Sequence, residues 1–163
     1  MQQRLRPFLP GARWVQSEGM HITMKFFGSV PEEQLSQLKA ACAPIAFSYQ
    51  RFSFYTEGLG GAPSLHAPRV VWVSCELPEP LTALARELEA AAEPLGYRRE
   101  QRQFRAHITL ARLERRLKLE LPPEEITFCN GELIPVDHVT LFRSHTGPGG
   151  SRYEALDRWP LAL

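Results

Sequence analysis

The order His-Ile-Thr-apolar occurs twice, as HITM at residues 21–24 and as HITL at 107–110. Each copy lies in a run that reads as a strand, MHITMKFF (20–27) closed by Gly28, and FRAHITLAR (104–112). Side chains alternate along a strand, so His21, Thr23 and Lys25 would face one way and Ile22, Met24 and Phe26 the other. His107 and Thr109 repeat the division. The fold must twice bury one side of a strand while leaving an imidazole and a hydroxyl on the other. If the two strands are paired or related by symmetry, two imidazoles and two hydroxyls converge in one cleft.

The segments between the copies alternate helical and extended periods. SVPEEQLSQLKAACAPI places Leu35, Leu38 and Cys42 on one stripe, with Ser29 as a candidate N-cap, acidic residues in the first turn and Pro44 as the stop. FSYQRFSFYTEGL (47–59) and RVVWVSCEL (69–77) read as strands, and PLTALARELEAAAEPLG (80–96) as a second amphipathic helix. After the second copy, three strands are expected near 126–133, 137–144 and 152–159, the last two joined through the turn Gly147-Pro148-Gly149-Gly150. Helices separated by pairs of strands, without a βαβ rhythm, predict an α+β fold with antiparallel sheets.

With 163 residues, 44% apolar and 23% charged, the chain has the length and composition of one soluble domain. A net charge of +1 excludes a polycation that coats nucleic acid or membrane by bulk electrostatics. Local basic stretches, RREQRQFR (98–105) and RLERRLK (112–118), leave room for a small anion-binding surface. Three unpaired-looking cysteines, Cys42, Cys75 and Cys129, sit among apolar neighbours, and nothing resembles a signal peptide or membrane span. A reducing cytoplasm is the expected setting.

Two imidazoles facing one substrate can divide acid and base duties, since one can be neutral while the other is charged. A hydroxyl two residues beyond each can donate to an anionic oxygen. In-line displacement at a phosphodiester needs this set, because the attacking oxygen loses a proton as the leaving oxygen gains one. Metal ligation is not suggested: neither HExxH nor a Cys/His quartet occurs, and each HxT offers one ligand.

At these residues the chain resembles the two-histidine phosphoesterase superfamily, and within it the RNA 2′,3′-cyclic phosphodiesterases, also known as LigT-type 2′-5′ RNA ligases. The likeness extends through RWVQSEGMHITMKFFGSVPEE, RVVWV, FRAHITLAR and GPGGSRYEAL, nearly the whole chain. The resemblance implies a single bilobed domain over 1–163, with two antiparallel sheets, helices outside and a central cleft. It implies hydrolysis of RNA 2′,3′-cyclic phosphate ends to 2′-phosphomonoesters without metal or other cofactor, with 2′-5′ ligation as the reverse step. His21 would be the general acid on the leaving 3′ oxygen and His107 the general base on water, with Thr23 and Thr109 holding phosphate oxygens. Five residues beyond each histidine, Arg112 would bind phosphate and Phe26 would lie against the terminal base. A strict pleat puts position five on the wrong face, so either each strand twists or bulges there or those side chains reach round its end, and for Phe26 core packing is the competing expectation.

Relative to the family, the opening MQQRLRPFLPG looks like the tail of a helix, so the usual N-terminal strand is expected to be missing, which would leave an unpaired edge or a cavity. Tyr153 and Arg152 could reach substrate and Lys25 could touch phosphate; His66, His138 and His145 are expected at the surface. The implied partner is an RNA 3′ end carrying a cyclic phosphate, tRNA fragments among them, bound by a monomer with no membrane association. Two other functions remain open: a related enzyme acting on small cyclic nucleotides or ADP-ribose cyclic phosphate, and a non-catalytic RNA-end-binding module.

Overall fold

A computed structural model describes residues 1–147 and 150–163. The elements in chain order are α1 (Gln2–Leu5), β1 (Arg13–Trp14), α2 (Leu35–Ser48), β2 (Phe52–Ala62), β3 (Val70–Cys75), α3 (Glu79–Ala92), β4 (His107–Arg112), α4 (Pro123–Thr127), β5 (Leu133–Val136), β6 (His138–Gly147) and β7 (Gly150–Pro160). Five strands form an antiparallel sheet in the order β1-β4-β3-β2-β5, and β6 and β7 form a second, two-stranded sheet. The fold is α+β. The tip of the expected Gly147–Gly150 turn, Pro148 and Gly149, lies outside the described residues.

Alternation in RVVWVSC sends Val71 and Val73 into a core with Leu5, Leu9, Leu110 and Cys129, on one face of the large sheet. The second core lies between α2, α3 and the small sheet, where Leu38, Cys42, Ala46, Leu84, Leu88, Leu141 and Trp159 are buried. In α3, Leu81, Leu84, Ala85, Leu88 and Ala92 recur at helical spacing and are all buried, and Gly96 closes the following turn with φ +91°. A smaller cluster, Phe54, Cys75, Leu81 and Ala106, takes in Ile22 and Ile108 and joins the two halves.

Several expected elements differ. Helix α2 runs through Pro44 to Ser48. The proline removes one amide donor, but Ala46 beyond it is fully buried and Ile45 packs on the same core, so burial outweighs the break. Its first turn is a 3-10 turn at Glu32–Gln34, and Ser29 is not its cap. Residues 47 and 48 are therefore helical, and β2 starts at Phe52. The strand expected from 126 is instead α4 and a turn, because Pro123, Glu124 and Glu125 make a helical first turn; β5 begins at Leu133.

The largest difference concerns the first motif. Residues 20–28 form no strand, and Ile22 alone pairs, in an isolated antiparallel bridge to Ile108. Beyond it Met24 and Phe27 turn into the core under the small sheet, so side chains rather than a ladder hold the segment. Between this segment and β6 lies a cavity of about 770 Å³ floored by Leu38, Leu84 and Trp159. Among the described residues β6 has one ladder partner, β7.

Strand β2 serves two neighbours because it bends. It pairs with β5 through Phe52–Tyr55 and with β3 through Thr56 and then Leu59–Ala62, with a register shift between Thr56 and Leu59. Gly58 sits in that shift with φ +99°, and an added Cβ would lie 2.7 Å from Asn130 Oδ1 and 3.0 Å from the Ile126 carbonyl. Replacing Gly58 with Ala should destabilise the protein by about 1–3 kcal/mol. A lowered urea midpoint checks this, and an unchanged one contradicts it.

Candidate active site

The bridge between Ile22 and Ile108 sets the geometry. In antiparallel register it lays His21 across from Thr109 and Thr23 across from His107, while both isoleucines point into the core cluster beneath. The two motifs thus meet crosswise, each histidine at the register position opposite the other motif's threonine. Opposed positions of this kind stand about 4.5–5.5 Å apart, close enough to face one phosphate group.

Both histidines are oriented by the same device. His21 Nδ1 donates to the Gly19 carbonyl at 2.8 Å, and His107 Nδ1 to the Arg105 carbonyl at 2.9 Å. A carbonyl can only accept, so Nδ1 carries the hydrogen in each ring, and Nε2 is left for chemistry. In neutral imidazole that Nε2 is a proton acceptor; in imidazolium it is a donor. One geometry serves either role.

An aromatic wall flanks each ring. The Tyr153 ring from β7 meets His21 edge-on at 4.7 Å between centroids, with Phe142 from β6 at 5.4 Å. The Trp72 indole from β3 lies 5.2 Å from His107. Tyr153 therefore comes to the site, and Phe142 and Trp72 are additions. The signal for Trp72 was present in the sequence: it alternates with Val71 and Val73 and so belongs to the face opposite the core.

Arg112 reaches the histidine face through a bulge. Along β3 and β4, Ser74 pairs with His107 and Trp72 with Thr109, but Val71 pairs with Ala111 and Val70 with Arg112. Leu110 is the extra residue, and Leu110 and Ala111 are both buried. Because Val71 points into the core, Arg112 opposite Val70 shares the face of Trp72, Thr109 and His107. Its side chain is exposed and makes no ion pair among the described residues. Phe26 is 77% exposed at the rim of the cavity, which rules out core packing.

Lys25 does not offer its charge to the cleft. Its side chain is 4% exposed and pairs with Glu89 of α3, while its ammonium also donates to the Arg98 carbonyl at 2.6 Å. Glu89 in turn accepts the Glu100 amide at 3.2 Å. The pair ties the first motif to α3 and to the loop that leads into His107. His66 and His145 are exposed, and His138 is half-buried beside Asp137. Burial pushes the Cys42 thiol up to about 11 and Cys75 to about 12, and raises Cys129, so all three stay protonated near neutrality. Among the described residues no three His, Cys, Asp or Glu side chains cluster as a metal-ligand set, and no helix is long and apolar enough to cross a membrane.

Comparison with known proteins shows the family. The family described as LigT like Phosphoesterase matches residues 1–72 and 73–153. An RNA 2′,3′-cyclic phosphodiesterase of Archaeoglobus fulgidus is 33% identical over 71% of this chain and 68% of its own length. One from Thermotoga maritima is 32% identical over 90% of this chain and 78% of its own. The crystal structure of E. coli LigT complexed with 3′-AMP superposes with a TM-score of 0.78 at 26% identity, covering 99% of this chain and 88% of that one.

Removing one member of a buried ion pair strands the other, at about 3 kcal/mol. Lys25→Met should lower stability by that order, whereas Lys118→Ala, which breaks an exposed pair with Glu120, should cost under about 1 kcal/mol. Equal urea midpoints for the two variants would contradict the brace assigned to Lys25.

Proposed function

The chain belongs to the LigT-like phosphoesterases, and from that footing we propose that it hydrolyses the 2′,3′-cyclic phosphate at RNA ends to a 2′-phosphomonoester, with His21 and His107 as its proton-transfer pair. The observation that carries the reading is the crosswise meeting of the two motifs with both Nδ1 atoms committed to backbone carbonyls. The relatives named for this activity support it.

His107, neutral, takes a proton from water on Nε2 as the water oxygen bonds to phosphorus. The bond from phosphorus to the 3′ oxygen breaks, and His21, charged, gives that oxygen its Nε2 proton. The phosphate remains on the 2′ oxygen. After the step His107 is charged and His21 neutral, and exchange with solvent resets both. With an RNA 5′-hydroxyl in place of water the same displacement yields a 2′-5′ linkage. Thr23 and Thr109 donate to the non-bridging oxygens, and Arg112 adds a cation that no carboxylate engages among the described residues. The uncovered ring of Phe26 offers a stacking face to the terminal base, which any base can use.

The reading places the protein as a monomer in a reducing cytoplasm, where three buried free thiols persist, acting on RNA fragments such as those of tRNA. The substrate contacts gather at one nucleotide, so turnover should persist as the RNA is shortened to an oligonucleotide of a few residues.

With chelator present, a short RNA ending in a 2′,3′-cyclic phosphate should be turned over with a bell-shaped pH profile. His21→Ala and His107→Ala should each lose roughly 10²- to 10⁴-fold in kcat. A strict divalent-metal requirement, or full activity in either variant, would overturn the assignment.

A further inference from the structure

Strand β2 carries a glycine, Gly60, directly opposite Trp72 of β3. Its φ is not in the left-handed region, so backbone conformation does not demand glycine here. Space does. A Cβ at Gly60 would lie 2.3 Å from Trp72 Nε1 and 2.6 Å from Cε2, and the three nearest atoms all belong to the indole. The five-membered ring of Trp72 therefore lies on the bare backbone of the neighbouring strand, an approach only glycine permits.

From this seat the indole is fixed in two further directions. Its Nε1–H donates to Ser74 Oγ at 3.3 Å, and Ser74 is the cross-strand partner of His107. Its ring lies 5.2 Å from the imidazole at an interplanar angle of 51°. The Arg105 carbonyl holds one edge of the imidazole through Nδ1, a single hydrogen bond that lasts only while the ring is kept in place against it. The indole backs the ring from β3, so that without it the imidazole is free to leave that hydrogen bond.

We infer that Gly60 and Trp72 form a seat that positions the His107 imidazole, with Trp72 a positioning residue for the proton transfer at Nε2 and Gly60 the gap that lets the indole reach it. The assignment rests on His107 as the proton acceptor. Gly60 is two strands away from His107, so it can influence the cleft only through the tryptophan.

That separation makes the inference testable by a double-mutant cycle on the hydrolysis of an RNA 2′,3′-cyclic phosphate. Trp72→Ala should lower kcat by about 10- to 100-fold with KM within about threefold, the size expected for misplacing a catalytic group by an ångström or less. Gly60→Ala evicts the indole and should lower kcat similarly. In the Trp72→Ala background, where the clash is gone, Gly60→Ala should cost less than about twofold. Trp72→Phe should recover part of the loss. In parallel, nitrogen-15 spectra of the imidazole should show His107 held as the Nδ1–H tautomer in the wild type and as a mixture in Trp72→Ala and Gly60→Ala, with unchanged circular dichroism marking both as folded. Additive kcat losses, or an unmoved tautomer in the folded variants, would overturn the seat. If the wild type proves inactive on RNA cyclic phosphate, the reaction assignment fails, while the tautomer still decides whether the seat orients His107.

Discussion

One backbone bridge, Ile22 to Ile108, joins the two halves of the site, and everything else is arranged to keep it. The first motif has no ladder of its own. A single pairing fixes its register to β4 only because its other side chains are anchored elsewhere, Met24 and Phe27 in the core under the small sheet and Lys25 on α3. The register matters because side chains repeat every two residues: a slip of the first motif by one would send His21 and Thr23 into the core and bring Ile22 to the cleft. The apolar half of the His-Ile-Thr pattern is as much a part of the chemistry as the polar half.

The chemistry asked of the site is symmetric, one proton removed and one delivered across a phosphorus atom, and the two halves use the same local device. Each histidine donates from Nδ1 to the carbonyl two residues before it and so presents Nε2. What differs is the surroundings. His107 has Trp72 on its strand face and Arg112 beyond a bulge; His21 has Tyr153 and Phe142 from the second sheet and the wide cavity beside it. Roles in such a pair interchange when the reaction runs backwards, so the labels of acid and base describe a direction of reaction.

The motifs, the α+β class, the second helix and strands β3, β4, β6 and β7 were legible from periodicity because in each the local preference and the burial agree. The failures share a cause. Pro44 reads as a stop, but the gain from burying Ala46 and packing Ile45 lies in tertiary contacts no local window contains. MHITMKFF has strand composition yet pairs at one residue, since a strand needs a neighbour as well as a propensity. Lys25 alternates onto the histidine face on paper, and leaves it once the segment is released from the pleat. Arg112 reads as lying on the wrong face of a strict pleat, and only the pairing of Val71 with Ala111 identifies the remedy as a bulge with Leu110 as the extra residue. Gly60 carried no signal alone, because its reason for being glycine is a tryptophan twelve positions away in sequence and adjacent in space.

The account stands on the two histidines acting on opposite sides of phosphorus, one on the leaving oxygen and one on water. A cyclic substrate with sulfur in place of the bridging 3′ oxygen separates them, because a thiolate leaves without being protonated. On that substrate His21→Ala should recover to within about tenfold of the wild type while His107→Ala stays slow. Recovery of His107→Ala instead, or of neither variant, would contradict the assignment.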